Sequence, residues 1–326
     1  MLAGRVSIVV ASYNHARFLA KRLDGLQAQT YDDIEILVID DRSTDNSLDV
    51  LRPFASQPGV SVMSRPKNGG WVVTFNQGLE ASTGEFLLFA NCDDDCDPRL
   101  LARLVSAMHA HPTAGIAFCR SLLIDAEGKA LGTDFDLRQA SCRARCATDT
   151  LITGAEMSRF LLHSCTIPNT GAALIRRECF DIVGQFTEDY KVIGDWDFFF
   201  RVAARYDVAY VAEPLNWFRQ HVGTIRNTSK AGLICGEYLR LLLAQLHQVD
   251  LSWTERAMFR FRSMALWTGH LISPGMSGYR DAANHWRIVR ALDPAALWFL
   301  GPALMHRVGQ VLGKLVAGRR RLPGIS

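Results

Sequence analysis

The sequence predicts an α/β fold: a mixed, mainly parallel sheet flanked by helices, with a helical C-terminal extension. Three observations carry this. Through the first 112 residues, apolar runs of strand length alternate with segments of helical periodicity, the pattern of a parallel sheet with crossover helices. Three of those runs end in polar clusters: Ser12-Tyr13-Asn14, Asp40-Asp41 and Asp93-Asp94. Ligands of open parallel sheets bind beyond the carboxyl ends of the strands, although polar residues also follow strands simply because the chain must turn. From Gly232 onward the apolar residues recur mostly at helical spacing.

Val6–Ala11 reads as a buried strand, and Phe18, Leu19, Leu23 and Leu26 then recur at helical spacing. Ile34–Ile39 is the second strand, and a helix through Leu48 and Leu51 follows, bracketed by Pro53 and Pro58. Val60–Met63 is the third strand, Asn68-Gly69-Gly70 a turn, and Trp71–Ala81 a helix. Phe86–Ala90 is the fourth strand, and Leu100, Leu101, Leu104, Val105 and Met108 mark the next helix. Beyond residue 113 the alternation loosens. Ile116–Phe118 and Leu122–Ile124 are expected to pair as strands, Asp125–Arg145 to be loop-rich, and Thr153–His163 to be helical. Asn169–Ile175 suggests a turn into a strand, and Val208–Ala212 a strand leading to Trp217-Phe218-Arg219-Gln220-His221. The expected domains are 1–230, in halves 1–112 and 113–230, and a helical region 231–326.

The fourth strand ends in Asp93-Asp94-Asp95, with no basic residue until Arg99. Carboxylates this close raise one another's pKa, and a divalent cation is the simplest remedy. Hard oxygen ligands favour Mg²⁺ or Mn²⁺. The alternative is a solvated acidic turn whose Asp97 caps the helix starting near Pro98. Gly194-Asp195-Trp196-Asp197 precedes another helix, where Asp195 is either an N-cap or an anion stabilised by the helix dipole.

Composition excludes several classes. The net charge of +3 offers no global electrostatic case for nucleic acid. No GxGxxG follows the first strand and no GxxxxGK[ST] occurs, which argues against dinucleotide and P-loop sites. The eight cysteines form no CxxC pair. Cys92/Cys96 and Cys142/Cys146, with His163 and Cys165, signal zinc weakly, and free thiols in a reducing cytosol are the better reading. Met1–Arg5 runs into a strand with no signal peptide, and no apolar stretch reaches the roughly 18 residues that span a bilayer. A cytoplasmic location is expected.

Taken together, the motifs resemble the inverting GT-A glycosyltransferases of family 2. Val6–Asn14 is similar to that family's first strand and its sugar-nucleotide tyrosine, and Leu37–Ser47 to its second motif, with Arg42 where glycine is usual. Asn68-Gly69-Gly70, Asn76-Gln77-Gly78 and Thr83-Gly84-Glu85 resemble the run before the fourth strand. Asn91-Cys92-Asp93-Asp94 matches Asp-x-Asp-Asp with Asn91 in place of the first aspartate. Gly194-Asp195-Trp196-Asp197 resembles Glu-Asp-Trp-Asp with Gly194 for glutamate. The resemblance covers roughly residues 5 to 225. It implies a Rossmann-like GT-A fold, a nucleoside-diphosphate sugar donor, UDP-linked, and Mg²⁺ or Mn²⁺. It implies nucleotide-sugar contacts from Ala11, Tyr13, Asn14, Asp41, Asn68, Asn76 and Asp93, and metal ligation by Asp93, Asp94 and His221, with Arg219 reaching the diphosphate. Asp195 is the implied general base. Polysaccharide or lipopolysaccharide assembly on a glycan or lipid-linked acceptor is the implied setting. A non-catalytic sugar-nucleotide-binding protein on the same fold is the alternative. A nucleotidyltransferase would carry a basic Gly-rich loop after the first strand, which Ser12-Tyr13-Asn14 is not.

The last hundred residues carry no such motif. Tyr238, Leu239, Leu242 and Leu246 make one apolar stripe, and Met258, Phe261, Ala265 and Leu266 another. The segment Ala295–Arg321 places Leu297, Leu300, Leu304, Val308, Val311 and Leu315 in a row beside Trp298, Arg307, Lys314 and Arg319–Arg321, with no acid after Asp293. Such a helix suits peripheral contact with an anionic membrane. Alternatively the row packs on the protein body. Pro302 is expected to break or kink it.

Overall fold

The computed structural model describes residues 1–137, 142–224, 228–271 and 277–319. The chain divides into two compact units, Met1–Thr224 and Ile225–Ser326.

The first unit is built on a single sheet. Strands β1 (Leu2–Ser12), β2 (Ile34–Asp40), β3 (Val60–Ser64) and β4 (Gly84–Asn91) run parallel in the order β3-β2-β1-β4. The later strands are β5 (Asp95–Cys96), β6 (Ala114–Ile124), β7 (Ala130–Thr133), β8 (Thr150–Ile152), β9 (Ala173–Arg176) and β10 (Asp207–Arg219). They extend the sheet as β9-β6-β10-β5. β9 lies antiparallel between β4 and β6, whereas β6 and β10 are parallel. Val6, Ile8, Val9 and Val10 are fully buried, as a strand covered on both faces requires. The helix Trp71–Ala81 lies close over β1: a Cβ on Gly78 would sit 2.1 Å from Val9. The small residue of Asn76-Gln77-Gly78 is therefore a packing requirement.

Register brings the polar clusters to one edge. Ala11 pairs with Ile39 on one side and Asn91 on the other, and Ser12 pairs with Asp40. The loops after β1, β2 and β4 thus leave the sheet side by side.

Three expectations change here. Ile116–Phe118 and Leu122–Ile124 belong to the one strand β6. Its polar middle needs no turn, because the Ser121 amide donates to Asp134 and the Arg120 guanidinium to Tyr210 and the Cys146 carbonyl. β10 runs on to Arg219, seven residues past the expected end, alongside β6. The helix Gly194–Ala203 takes in Asp195 as part of its first turn, where the carboxylate accepts the Trp196 amide at 2.8 Å.

The second unit holds helices Ala231–Gln245, Trp253–Leu271, Ser277–Leu292 and Leu300–Arg319, with a 3-10 turn over Pro294–Phe299. Leu239 and Leu246 of the first expected stripe are buried as expected, whereas the second stripe is rotated. Leu239, Leu241, Leu243 and Leu246 are buried in and just after the first helix, and Phe259, Ser263, Met264 and Trp267 in the second, while Met258 and Leu266 are exposed. Arg260 accounts for part of the rotation: its pairing with the buried Asp293 (2.7 Å) holds that side of the helix inward. Pro302 breaks nothing, because it lies in the first turn of Leu300–Arg319, where a missing N–H costs no helical bond. Val311, Leu315 and Lys314 lie where only the backbone is described, and Arg320–Arg321 outside the described residues. Among the described residues no helix is long and apolar enough to cross a membrane.

Candidate active site

The acidic loop after β4 resolves its charge by divergence. Asp93, Asp94 and Asp95 each find a different partner. Asp95 is buried and meets Lys21 Nζ at 2.7 Å. Asp94 is 2% exposed and turned inward. Its carboxylate accepts the Arg219 amide (2.8 Å), Asn169 Nδ2 (2.7 Å) and Asn91 Nδ2 (3.1 Å). Burial, and then the charge of Asp93, push its pKa up to about 7, against the opposing pull of Arg22, Arg219 and Asn91. Asp94 is therefore a brace between β4, β10 and the turn before β9. Three of the roughly four acceptor positions of Asp94, the expected partner of Asp93 in holding a metal, are thus taken by protein donors.

Asp93 faces the other way. Its Oδ2 lies 2.8 Å from Nε2 of His221, just beyond β10. Burial alone would raise its pKa. The His221 hydrogen bond and the charges of His15 and His221 outweigh burial and hold it below the usual carboxylate range. Asp93, His221 and His15 each offer one donor atom, and these atoms all lie within 4.8 Å of one another. His221 Nδ1 accepts a long bond from the Gly223 amide (3.2 Å). Among the described residues this is the one such group of three, so the cysteines gather into no zinc site there; all eight are free thiols. The carboxylate suits Mg²⁺ or Mn²⁺, and imidazoles bind first-row transition ions, so the donor set can hold Mn²⁺, one of the two expected ions.

The remaining expected residues divide into those that brace and those that stand open. Asp41 is buried and accepts Arg65 Nη1 (2.6 Å) and the amides of Gly69 (2.9 Å) and Gly70 (2.7 Å). It fixes the turn that starts the helix at Trp71, with Gly70 at φ 84°. Asn14, at φ 55°, receives the Thr44 amide on its side-chain oxygen (2.7 Å) and ties the first loop to the second. Asn76 exchanges two hydrogen bonds with the Phe186 backbone (2.8 and 3.1 Å). All three side chains thus tie the loops at the expected nucleotide end to the scaffold. Arg219 is 4% exposed and donates to the carbonyls of Asp93, Asp125 and Ala126. Ala11 is half-buried, one residue before the end of β1, while Tyr13 is 42% exposed and Asn68 exposed.

Asp195 is half-buried at the start of its helix. A Cβ on Gly194 would stand 3.1 Å from the Trp71 ring. The indole occupies the space a larger residue would take, and its Nε1 donates to the Lys191 carbonyl (2.7 Å). Asp41, through Gly70 and Trp71, thus supports the turn that carries Asp195. Sequence reading missed His15 and the buried amides of Asn169 and Asn216. His15 follows Tyr13-Asn14 directly, and that adjacency was the available signal; the two asparagines carry none.

Comparison with known proteins agrees. The family model of glycosyl transferase family 2 matches residues 7–183, more than half of the chain. An uncharacterized glycosyltransferase of Nostoc sp. is 36% identical over 113 residues, covering 34% of this chain and 35% of that protein. A PGL/p-HBAD biosynthesis glycosyltransferase of Mycobacterium bovis is 28% identical over 200 residues, covering 61% and 69%. The first of these matches thus spans about a third of its relative's length. Among solved structures, TarS 1–349 of S. aureus in complex with UDP-GlcNAc superposes with a TM-score of 0.71 at 16% identity, covering 91% of this chain and 84% of that one. The mannosyltransferase PcManGT of Pyrobaculum calidifontis, in complex with GDP-Man and Mn²⁺, gives 0.56 at 16% identity, over 94% and 87%. The fold is GT-A, and the chain belongs to glycosyl transferase family 2.

Proposed function

We propose that this chain is a metal-dependent inverting glycosyltransferase. It moves a sugar from a UDP-linked donor to a hydroxyl of a glycan or lipid-linked acceptor in cell-surface polysaccharide or lipopolysaccharide synthesis. The observation that carries this is the grouping of Asp93 with His221 and His15, set where the parallel strands end. A relative in complex with UDP-GlcNAc supports the choice of donor. Asp93 and His221 would hold Mg²⁺ or Mn²⁺, which supplies neutralisation of the charge that develops on the leaving diphosphate. Tyr13, exposed beyond β1, stacks near the base, and Asn68 borders the same end. Asp41, Asn14 and Asn76 hold these loops in place.

Asp195 takes the proton of the acceptor hydroxyl as its oxygen attacks the anomeric carbon from the face opposite the diphosphate. The new carbon–oxygen bond forms as the bond to phosphate oxygen breaks, and the configuration inverts. The test is release of nucleoside diphosphate from a panel of nucleotide sugars with Mn²⁺ and Mg²⁺. Asp195→Asn is expected to lower turnover about 10²- to 10⁴-fold while donor binding persists. Full activity of that variant would remove Asp195 as the base. Donor binding without turnover across many acceptors would favour a non-catalytic binding protein.

The second unit supports a place at the cytoplasmic face of an anionic membrane. Trp298 is 85% and Met305 73% exposed, in a segment with basic residues and no acid after Asp293.

A further inference from the structure

We propose that His15 is a third protein ligand of the divalent cation, so that the site prefers Mn²⁺ to Mg²⁺ and fills before the nucleotide sugar arrives. This rests on the metal-dependent reading above and goes beyond it in the donor set and the order of binding.

The geometry comes first. Two ligands at right angles, each about 2.2 Å from an ion, stand about 3 Å apart, and opposed ones about 4.4 Å. The Asp93–His221 pair at 2.8 Å matches neighbouring ligands, and the three donors within 4.8 Å span about one coordination shell. His15 is also held for this purpose. It occupies the N-cap position of the helix Ala16–Gln27 but makes no side-chain cap bond, and Asp45 of the next loop receives the Ala16 amide instead (3.1 Å). Its ring stands edge-on to His221, centroids 5.7 Å apart. Phe18 lies against both rings, at 6.1 and 5.2 Å, and Arg17 and Arg219 cover Phe18 at 4.2 and 4.9 Å. Both imidazoles are thus backed by one fixed aromatic wall. His221 presents Nε2 to an ion once its proton moves to Nδ1 and the long Gly223 contact is given up.

The chemistry follows from the donors. Mg²⁺ sheds water reluctantly and favours oxygen, whereas imidazole suits transition ions. Three protein ligands need no diphosphate to retain the metal, and an octahedral ion keeps three positions for the donor and water.

The experiment is a Mn²⁺ titration of the full, chelator-stripped chain without nucleotide. Free Mn²⁺ is read by its paramagnetic resonance, and bound Mn²⁺ by nitrogen couplings in the pulsed spectrum. One Mn²⁺ per chain, with couplings from two imidazoles and no displacement by equimolar Mg²⁺, is expected. His15→Ala and the bulkier His15→Gln should each lose one coupling and bind about tenfold or more weakly; His15→Gln keeps the site filled, which separates ligation from packing. Unchanged Mn²⁺ affinity in both variants, a single imidazole coupling in the parent, or no Mn²⁺ retained without nucleotide each overturns the proposal. Melting with UDP-sugars in Mn²⁺ is followed in parallel. Stabilisation by a UDP-sugar with unchanged His15 variants sinks this inference and leaves the glycosyltransferase reading standing. Two-imidazole Mn²⁺ binding with no response to any nucleotide sugar does the reverse.

Discussion

Residues 1–224 and 225–326 treat the solvent differently. In the first unit the chemistry-bearing loops are cross-tied by polar groups far apart in sequence: Asp94 with Asn169 and Arg219, Asp41 with Arg65 and Gly70, Asn76 with Phe186. Its large apolar side chains are mostly inside. The second unit exposes Trp253, Met258, Leu266, Trp286, Trp298 and Met305 within about a hundred residues. Exposed large apolar side chains are thus denser along the chain in the second unit than in the first. The first unit's polar groups tie its loops together, and the second unit's exposed side chains are where the proposed membrane contact can be tested.

That contrast breaks most readily at the two neighbouring aspartates, which should fail in opposite ways. Asp93→Asn leaves the backbone of the loop intact, since Arg219 holds the Asp93 carbonyl and not its carboxylate. Turnover should fall about 10²- to 10³-fold, the scale for losing one electrostatic stabiliser. The side chains of Asp93 and His221 are only 16% and 6% exposed, but asparagine keeps an acceptor for His221 Nε2, so stability should fall by about 1.5 kcal/mol. Asp94→Ala should do the reverse to the fold. Three buried donors lose their acceptor, and the loss is about 3 kcal/mol, or about 6–12 °C in melting temperature. Turnover of the folded fraction then reports whether the brace also positions Asp93. Equal thermal losses in both variants would dissolve the distinction between open and bracing carboxylates.

The same pair has a pH signature in the metal-free protein. The folded pKa of Asp94 lies above its unfolded value, so the folded state binds more protons between about 4 and 7. Stability from this group is therefore greatest below about 4 and falls as pH rises towards 7. Asp93 is depressed, so its contribution is present above about 4 and is lost only on further acidification. Urea midpoints measured from pH 4 to 8 should decline in the parent and flatten in Asp94→Asn. An unchanged slope in that variant would assign the pH dependence to other groups.

How far each unit could be read beforehand follows the same division. Strands β1 to β4 were legible because apolar runs covered on both faces, and the turns between them, are local properties. Asp93 and His221 were legible as chemistry. What sequence did not show was direction: which of two adjacent carboxylates turns inward depends on Asn169 and Arg219, 75 and 125 residues away. For His15 the adjacency to Tyr13-Asn14 was the one signal, since its partners come from two other loops. In the second unit a helical period was plain but its phase was not. Leu242 and Leu266 look as apolar as Leu241 and Trp267, and only packing decides which is buried.

The exposed face of the second unit gives the next effect in size. On the proposed membrane contact, Trp298→Ala with Met305→Ala removes two exposed side chains whose apolar area would be buried on a bilayer, together about 2 kcal/mol, or about 30-fold in partition. Flotation of the full chain with phosphatidylserine vesicles at low salt measures it. The double variant should float weakly, and neutral vesicles should bind both proteins poorly, because each basic residue near an anionic surface adds about 1 kcal/mol. If neither protein floats, the apolar face serves a protein contact. If both float equally, attachment lies outside these two residues.

The smallest expected effect returns to the first unit, at Arg42. The family motif usually carries glycine here, and the arginine holds φ at 65°, in the left-handed region. A side chain there costs roughly 1–2 kcal/mol over glycine, partly repaid by the greater freedom of glycine when unfolded. Arg42→Gly should therefore raise stability by about 0.5–1 kcal/mol, about 1–4 °C in melting temperature. The residue is exposed at the mouth of the second loop, after the buried Asp41 that braces the turn. Strain retained at such a position is expected where a function uses it. A stabilised Arg42→Gly with weaker donor binding would give the guanidinium a place at the nucleotide end, opposite in sign to the carboxylates around it. Stabilisation with unchanged binding would make the arginine a tolerated substitution in the turn. A loss of stability would mean that contacts of the side chain outweigh its backbone strain, and the loop would then join the cross-tied part of the unit.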